Sequence, residues 1–413
     1  MKAFKVWGGT PLYGEVEISG SKNAALPVIF ATLITRGISR IDGVPAIGDI
    51  DVAIEIIKSL GARVSRLQST LFIDTEELLP IDVDQSLTSA IRASTYLLGS
   101  CLGRFSSCTV SDFGGCRFSD RPIDMHIGAC LAFGGEISGN KIVAERLHPA
   151  SISFSKPSVG ATINALILAA SVDGESTITG YAKEPHVINL CDYLRSAGAK
   201  ICFLGDKITV KGGGLRGGRV RIIPDMIEAG TYLCAGIVTG GEVTVRSVVP
   251  DHLGAFISVI EQMGAHVRSG DNFITARAPK KGNFARAVAR AYPGFPTDLH
   301  PITVPAMAVC GGGIMEDRVW EKRYGYLEPL KSFGLKYDIF EGGVRVHPSV
   351  FNSANVCSTD LRGGMSALLC ALSARGESIV SKSEYILRGY EHPEIKLAAL
   401  GAKIEPIRVP DPL

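Results

Sequence analysis

A short phrase recurs six times along the chain, and every copy holds a glycine between an apolar segment and an alternating one. The copies lie at residues 59–64, 132–137, 196–201, 262–267, 332–337 and 399–404. From Gly61 in the first copy to Gly401 in the last the chain runs 340 residues, which over five intervals gives a mean period of 68 residues. A fixed period of this kind indicates a fold built from one repeated unit.

Each copy of the phrase predicts the end of a helix followed by a strand. In the first unit the apolar residues share one helical face: Val52, Ala53, Ile56, Ile57 and Leu60. Gly61 suits a left-handed helix cap, and alternation resumes over residues 63–67. A first helix over residues 23–34 and a strand over residues 38–44 complete the unit.

The repeated unit predicts the fold class. It runs roughly helix, strand, helix, strand, strand, with another strand entering the first helix. Sheets covered by helices on one side give an α/β (α+β) architecture. Six units are expected to group three and three, with the boundary near residues 221–225. The gap between two such halves is the usual place for a ligand.

The composition of the chain limits the kinds of molecule that it is expected to bind. The 413 residues carry 43 basic and 41 acidic side chains, and this balance favours neither nucleic acid nor a membrane surface as a partner. The start of the chain lacks a signal-peptide pattern, and apolar runs such as residues 165–170 are too short to span a bilayer. The ten cysteines show no metal-ligand spacing, and we expect a reducing, cytoplasmic setting. Four of them lie in apolar runs and are predicted to be buried: Cys202, Cys234, Cys310 and Cys370.

Basic residues stand where several units open, namely Lys22, Arg92, Lys156 and Arg362. Equivalent positions of a repeated fold point to the same end of the structure. These cations are therefore expected to converge with helix N-termini around one space and to form an anion site. The alternative is that each is a solvated surface charge.

Asp298 is the acidic member of these openings and follows two prolines and two aromatic residues in the segment 292–296. A carboxylate that faces cations stays ionised and can accept a hydroxyl proton. A helix N-cap is the other interpretation of this aspartate. The segments 320–324 and 387–391 add further cations, as ligand contacts or as salt-bridged loops.

Cys116 lies in a glycine-rich polar segment, after Gly114 and Gly115 and before Arg117 and Arg121. A thiol beside guanidinium groups ionises and reacts more readily than an isolated one, so a functional cysteine is one interpretation and a buried cysteine the other. The chain carries no phosphate-binding loop of the G-x-x-x-x-G-K-[ST] type and no H-E-x-x-H zinc motif.

Several segments in collinear order resemble the enolpyruvyl transferase superfamily, and most closely the UDP-N-acetylglucosamine enolpyruvyl transferases, which start peptidoglycan precursor synthesis. These segments are residues 8–16, 19–27, 114–116, 121–126, 158–162, 295–298, 360–362 and 388–391. The resemblance implies a two-domain, inside-out α/β barrel with three repeated units in each domain. Residues 22–223 would form the domain that carries the Cys116 lid, and residues 1–21 plus 224–413 would form the other.

The resemblance also implies roles for individual residues. Cys116 would be the general acid toward carbon 3 of phosphoenolpyruvate, and Asp298 would take the proton of the acceptor's 3-hydroxyl. Lys22, Arg121 and Arg388 would hold the phosphate and carboxylate of phosphoenolpyruvate, with Arg92 and Arg362 nearby. The nucleotide-sugar site would be lined by Asn23, Pro122, Asp124, Lys156, Ser158, Val159 and Gly160. The reaction would need no metal and no cofactor, and the partners would be these small molecules.

Some positions depart from the family's usual residues and leave the acceptor open. They are Phe113, the lid residues 117–120, Met226, His300, Trp320 and Lys322. The alternatives are therefore transfer to another nucleotide, such as a uridine monophosphate-like acceptor, and a non-catalytic scaffold or nucleotide-sugar sensor. The presence of Lys22, Cys116, Asp298 and Arg388 argues against a scaffold. The shikimate-pathway enzyme is disfavoured because it lacks a catalytic cysteine and has serine at the position of Asn23.

Overall fold

The computed structural model describes residues 1–110, 113–114, 122–320 and 323–410. These residues form two compact units. The continuous unit lies within residues 20–223, and the split unit combines Met1–Ser19 with residues 224–410. The chain enters the continuous unit after Ser19 and leaves it after Ile223.

The strands and helices follow the order that the repeat predicts. The strands are β1 (Lys2–Gly8), β2 (Tyr13–Glu17), β3 (Ile38–Asp42), β4 (Arg63–Leu67), β5 (Thr70–Asp74), β6 (Ser107–Thr109), β7 (Glu136–Ser138), β8 (Lys141–Val143), β9 (Ser151–Ser153), β10 (Gly174–Thr179), β11 (Lys200–Leu204), β12 (Lys207–Gly212), β13 (Arg219–Arg221), β14 (Glu242–Arg246), β15 (His266–Ser269), β16 (Phe273–Arg277), β17 (Ala285–Ala289), β18 (Gly313–Asp317), β19 (Lys336–Phe340), β20 (Gly343–His347), β21 (Asn355–Cys357), β22 (Gly376–Ser381) and β23 (Lys403–Arg408).

The α-helices are α1 (Lys22–Ala31), α2 (Gly48–Ser59), α3 (Gln85–Thr88), α4 (Leu97–Phe105), α5 (Asp124–Ala132), α6 (Val159–Ser171), α7 (Pro185–Ser196), α8 (Met226–Thr239), α9 (Gly254–Gln262), α10 (His300–Cys310), α11 (Leu327–Lys331), α12 (Leu361–Ser373), α13 (Glu384–Leu387) and α14 (Pro393–Ala399). Short 3₁₀ helices cover Thr32–Ile34, Arg92–Tyr96, Pro250–Leu253 and Thr297–Leu299. None of the helices in the described ranges is long and apolar enough to cross a bilayer.

One strand order recurs in the sheets of both units. Within the described residues, five sheets have four strands, in which an edge strand pairs in parallel with its neighbour and the remaining pairs are antiparallel. Their orders are β13-β3-β5-β4, β9-β10-β12-β11, β2-β14-β16-β15, β17-β18-β20-β19 and β21-β22-β1-β23. The second unit of the repeat has a three-stranded sheet, β6-β8-β7. The α/β fold with six repeated units, three and three, is thus confirmed.

The repeated glycine has one structural role in all six units. Each copy follows the last turn of α2, α5, α7, α9, α11 or α14 and precedes a strand. All six glycines have positive φ, from 93° at Gly264 to 118° at Gly198. Side chains other than glycine rarely adopt this backbone conformation, so the residue reverses the chain at little steric cost. The predicted helix cap is confirmed.

The first helix of each unit lies inside and the sheets lie outside. In the split unit α8, α10 and α12 pack on one another, and their residues are buried around almost the whole circumference. In the continuous unit α6 is equally buried and packs against α4 and α5. A helix that is apolar on all sides belongs to the centre of a core.

Two local predictions need correction. The strand expected over residues 38–44 ends at Asp42, because Gly43 turns the chain with φ +76°. Cys202 was expected in the core, but it is exposed on β11, where burial alternates along the strand. Cys234 and Cys370 are buried as predicted, and so is Cys310.

Candidate active site

Lys22 is the first residue of α1, and its ammonium group meets an acid that the sequence did not reveal. The Nζ atom donates to Oδ2 of Asp49, in the first turn of α2, at 3.1 Å. Only 13% of the Lys22 side chain and 6% of the Asp49 side chain are exposed. Lys22 is therefore a paired, mostly buried cation, and the surface-charge alternative is wrong for it. Asn23, the next residue, is half-buried.

Arg92 opens the 3₁₀ helix Arg92–Tyr96 and is half-buried. This helix is tied to the start of α6 by Asn164, whose Nδ2 donates to the carbonyl oxygens of Thr95 at 3.2 Å and Gly160 at 3.1 Å. The Asn164 Oδ1 accepts from the amide of Gly99 at 2.7 Å. One buried amide thus fixes Arg92's helix against the predicted nucleotide-sugar segment, a link that the sequence reasoning missed.

The predicted nucleotide-sugar residues at the start of α6 have clear local causes. Ser158 is the N-cap of α6 and accepts from the amide of Ala161 at 3.4 Å. A methyl group at Gly160 would lie 2.3 Å from Nε2 of His126, so a larger residue there would require the His126 ring on α5 to move. Val159, the first residue of α6, is half-buried. The other members, Pro122, Asp124 and Lys156, are exposed.

The segment before the predicted lid is held by backbone contacts. The amide of Gly114 donates to the carbonyl oxygen of Thr88 at 3.1 Å. A methyl group at Gly114 would lie 1.7 Å from the carbonyl oxygen of Ser89, which leaves no room for a side chain. Cys116 and Arg121 themselves lie outside the described residues, and so does Lys322.

Asp298 lies in the 3₁₀ helix Thr297–Leu299, directly before α10. The N-cap positions there are Pro296 and Leu299, so the N-cap interpretation of this aspartate is wrong. Its carboxylate instead meets two cations. Arg323 Nη1 donates to Oδ1 at 3.0 Å, and Arg362 Nη2 donates to Oδ2 at 3.2 Å.

Asp360 and Tyr390 hold Arg362 in place. Its backbone amide donates to the N-cap carboxylate of Asp360 at 2.9 Å, and its guanidinium stacks over the ring of Tyr390 with 5.2 Å to the centroid. The Tyr390 hydroxyl is 2.8 Å from Oγ1 of Thr231 on α8. Burial would lower the pKa of Arg362, but Tyr390 and the Asp298 carboxylate raise it, and the net shift is upward. Arg388, the C-cap of α13, is half-buried.

A second carboxylate, that of Asp317, is hydrogen-bonded to Thr297, the residue before Asp298. Asp317, at the end of β18, accepts through Oδ1 from the amides of Val319 and Trp320, both at 2.8 Å. Its Oδ2 accepts from the hydroxyl of Thr297 at 2.5 Å and lies 3.3 Å from Nδ1 of His300. Burial would raise the pKa of Asp317, but the hydrogen bonds from His300 and Thr297 outweigh it and lower the pKa. For His300, burial lowers the pKa, and Asp317 opposes that shift.

The sequence found the cations of the site more readily than their partners. Arg323 belongs to the cationic segment 320–324, for which the sequence allows ligand contacts or a salt-bridged loop. Asp49 and Asp317 carried no local signal, since each is an ordinary acid near a helix start or a strand end. Within the ranges that the structure describes, no cluster of His, Cys, Asp or Glu could hold a metal ion.

Comparisons with known proteins show which family the chain is similar to. The model of the family described as EPSP synthase (3-phosphoshikimate 1-carboxyvinyltransferase) matches residues 6–397. The UDP-N-acetylglucosamine 1-carboxyvinyltransferase 3 of Caldanaerobacter subterraneus subsp. tengcongensis is 40% identical over 419 residues, covering 99% of this chain and 100% of that protein. The UDP-N-acetylglucosamine 1-carboxyvinyltransferase 2 of Clostridium acetobutylicum is 38% identical over 414 residues, covering 98% and 99%.

Solved structures share the whole fold. The crystal structure of the enolpyruvyl transferase NikO from Streptomyces tendae superposes with a TM-score of 0.87 at 25% identity, and 99% of each chain is covered. EPSP synthase from Acinetobacter baumannii, at 17% identity and a TM-score of 0.72, shares the fold over 99% of this chain and 100% of its own. The family match and the full-length relatives confirm the resemblance, and the chain belongs to the EPSP synthase family of enolpyruvyl transferases.

Proposed function

We propose that this protein transfers the enolpyruvyl group of phosphoenolpyruvate to the 3-hydroxyl of UDP-N-acetylglucosamine and releases inorganic phosphate. The observation that carries the proposal is the Asp298 carboxylate, which Arg323 and Arg362 hold at 3.0 and 3.2 Å. It is supported by full-length relatives named for this activity at 38–40% identity. The product is the first intermediate of peptidoglycan synthesis, which assigns the enzyme to cell wall biogenesis.

Asp298 is the base of this reaction. While the acceptor oxygen bonds to carbon 2 of phosphoenolpyruvate, the carboxylate takes the hydroxyl proton. Two guanidinium groups fix both of its oxygens, and 29% of the side chain stays exposed for a substrate to reach. A carboxylate oriented before the substrate arrives need not reorganise during the reaction.

The cations balance the charge of the donor. Phosphoenolpyruvate carries about three negative charges near neutral pH, and Arg and Lys side chains bind phosphate and carboxylate groups through charge-assisted hydrogen bonds. We assign Lys22, Arg121 and Arg388 to these contacts, with Arg92 and Arg362 in support. Cys116 gives a proton to carbon 3, and loss of a proton from that carbon later expels phosphate.

The acceptor site is assigned to the start of α6 and its neighbours, which are Asn23, Pro122, Asp124, Lys156, Ser158, Val159 and Gly160. Gly160 and Ser158 set the backbone there, since Gly160 packs on His126 and Ser158 caps the helix. We equate the two compact units with the two three-repeat domains of the proposal. The cytoplasm stays the predicted compartment.

A phosphate-release assay with an acceptor panel tests the proposal. Purified protein and phosphoenolpyruvate are mixed with UDP-N-acetylglucosamine, uridine monophosphate or shikimate 3-phosphate, and released phosphate is followed with time. Release with UDP-N-acetylglucosamine, and an adduct of matching mass, is the expected result. Release with uridine monophosphate but not with UDP-N-acetylglucosamine would show that the acceptor is a nucleotide. No release with any of the three acceptors overturns the proposed enolpyruvyl transfer.

A further inference from the structure

A continuous chain of hydrogen bonds runs from the buried core of the split unit to Asp298. It starts at Nδ1 of His300, 3.3 Å from Asp317, and Asp317 accepts from the Thr297 hydroxyl at 2.5 Å. The same hydroxyl accepts from Arg323 Nη1 at 3.1 Å, and that Nη1 donates to Asp298 at 3.0 Å. The exposed carboxylate is therefore connected to a fully buried imidazole through three intermediate residues.

We propose that Asp317 and His300 are positioning residues, which orient Asp298 and Arg323 for the reaction by fixing Thr297 and the backbone of Val319 and Trp320. Neither residue touches the reacting atoms in this proposal. It rests on the proposed function, because it assigns a task to groups behind the base of that reaction.

Asp317 can do this because it joins two chain segments at a buried point. Its Oδ1 receives two backbone amides of the segment that leads toward Arg323, and its Oδ2 receives the side chain that directly precedes Asp298. The Asp317 side chain has no exposed surface. A carboxylate that is buried this completely stays ionised only if it accepts several hydrogen bonds, and those bonds in turn fix the donors.

His300 completes the arrangement. It is the first residue of α10 and is fully buried, with its ring edge-on to Tyr324 at 5.8 Å and to Tyr326 at 5.6 Å between centroids. The aromatic walls leave the imidazole little freedom to rotate, so Nδ1 stays aimed at Asp317. A neutral imidazole that donates through Nδ1 satisfies Asp317 without adding a charge.

The charges of the cluster support a neutral His300. The cluster contains the carboxylates of Asp298 and Asp317 and the guanidinium groups of Arg323 and Arg362. Burial lowers the pKa of His300, and the Arg323 guanidinium lowers it further, although Asp317 opposes both. Both arginines are almost completely buried, with 5% and 2% of their side chains exposed. Loss of Asp317's charge removes a buried negative charge from this cluster and frees the two segments that Asp317 ties together.

The test separates orientation from activity. In a Trp7→Phe background Trp320 is the remaining tryptophan, because the chain has two. Asp317→Asn is expected to raise the acrylamide quenching constant of Trp320 about twofold. The backbone amide of Trp320 then loses its charged acceptor, and the segment that contains Val319 and Trp320 becomes more mobile. Asp338→Asn is the matched control, since Asp338 also pairs with a histidine, His347, at 2.6 Å, but on the exposed surface of the same unit.

Steady-state phosphate release gives the second measurement. Asp317→Asn and His300→Leu are expected to lower kcat at least about tenfold while KM for phosphoenolpyruvate changes less than about twofold, since a misplaced base slows the chemical step. His300→Asn, whose amide can donate from near the position of Nδ1, should recover most of the kcat that His300→Leu loses. Equal losses in both His300 variants would show a packing role only.

The outcomes keep the two proposals apart. If the wild type releases no phosphate, the function fails, and the quenching comparison still decides whether Asp317 orders the segment. If the wild type is active but Asp317→Asn matches Asp338→Asn in quenching and in kcat, the positioning inference is overturned. Should Asp317→Asn fail to fold, Thr297→Val with Thr297→Ser as the rescue breaks the same chain, and equal kcat values for these two variants overturn it as well.

Discussion

Arg362 is almost fully buried, with 2% of its side chain exposed, yet its Nη2 donates at 3.2 Å to Asp298, which keeps 29% exposed. A cation in the core of the split unit thus holds an acid at its surface. Guanidinium groups hold both oxygens of this carboxylate, so its orientation is fixed, as a preorganised base requires.

Asp298→Asn should abolish most of the activity. The amide has the shape of the carboxylate but cannot take the hydroxyl proton, so we expect kcat to fall roughly 10²- to 10⁴-fold. Phosphate release under saturating substrates measures this. Asp271→Asn, at an exposed loop position of the same unit, is the control and should keep wild-type kcat. A kcat for Asp298→Asn within twofold of the wild type would remove Asp298 from the mechanism.

Lys22 and Asp49 should be energetically coupled. Removing one member of a mostly buried ion pair takes a close partner from the other charge at a site that water screens poorly, so Lys22→Gln and Asp49→Asn should each cost roughly 3 kcal/mol of unfolding free energy. The double variant should lose less than the sum by about 1–3 kcal/mol. Urea unfolding of the four proteins gives this coupling.

The exposed pair Lys58–Glu55 is the control for that cycle, because its N–O distance is also 3.1 Å but 45% and 60% of the side chains are exposed. Its coupling should be below about 0.5 kcal/mol. Similar couplings for the two pairs would mean that burial of Lys22 does not matter.

Gly114→Ala should disturb the segment that leads into Cys116. The new methyl group would lie 1.7 Å from the Ser89 carbonyl oxygen, so the backbone must move and its hydrogen bond to Thr88 must lengthen. We expect kcat to fall by about 10-fold or more if this anchor places Cys116. Gly128→Ala on α5, where nothing lies within 4 Å of the new methyl group, should keep wild-type kcat and gain up to about 1 kcal/mol of stability. Equal kcat values in the two variants would contradict the anchor.

Stability should fall with rising pH because of Glu228. This glutamate on α8 pairs with Lys396 at 2.7 Å and accepts from the amide of Ser19 at 2.7 Å. Burial raises the pKa of Glu228 from 4.5 to about 7, although Lys396 opposes the shift. The folded chain therefore binds this proton more tightly than the unfolded chain, and the resulting stabilisation is full below about pH 4.5 and lost as pH rises through about 7.

Glu228→Gln should remove that pH dependence. The unfolding free energy of the wild type relative to Glu228→Gln should decrease by up to about 3 kcal/mol between pH 4.5 and pH 7.5. Urea titrations at several pH values provide the measurement, with Glu341→Gln in the turn between β19 and β20 as the control. A difference that stays constant with pH, or grows in the opposite direction, would contradict the raised pKa.

Alkylation of the cysteine thiols should follow their exposure to solvent. Burial raises the pKa of Cys234 and of Cys370, so neither should be alkylated by iodoacetamide in the native protein. Cys202 is exposed and should be labelled. Peptide mass spectrometry after brief labelling distinguishes them.

Cys116→Ala should lower kcat at least about 100-fold, whereas Cys234→Ala should leave the chemistry intact. Equal kcat values in these two variants would exclude Cys116 as the acid.

The repeat was readable from sequence because its period depends on local rules. The residue after each second helix has positive φ, which favours glycine, so a glycine such as Gly61 or Gly401 recurs at this position in every unit. Helix and strand order followed from apolar spacing for the same reason. Cys202 was misassigned because an apolar run on a strand puts every second residue on the other face, and the run alone does not say which.

The site was only partly readable because partner choice depends on the folded chain. Asp298 was recognised as an acid near cations, but its partner Arg362 is 64 positions away. Asp49 and Asp317 became visible only when α2 and β18 were placed beside Lys22 and Thr297. Asn164 was missed because a buried asparagine within an apolar helix resembles a packing residue until its three hydrogen bonds are known.

The placement of β1 between β22 and β23 has a consequence for how the protein is made. The ribosome synthesises β1 before the whole continuous unit, but its neighbours β22 and β23 begin about 370 and about 400 residues further along the chain. The continuous unit can collapse around its own core meanwhile, since its sheets are completed by β13 and need nothing further downstream. During synthesis β1 is therefore unpaired along both edges until β22 emerges and along one edge until β23 emerges, and this is the interval in which a chaperone would have most to protect.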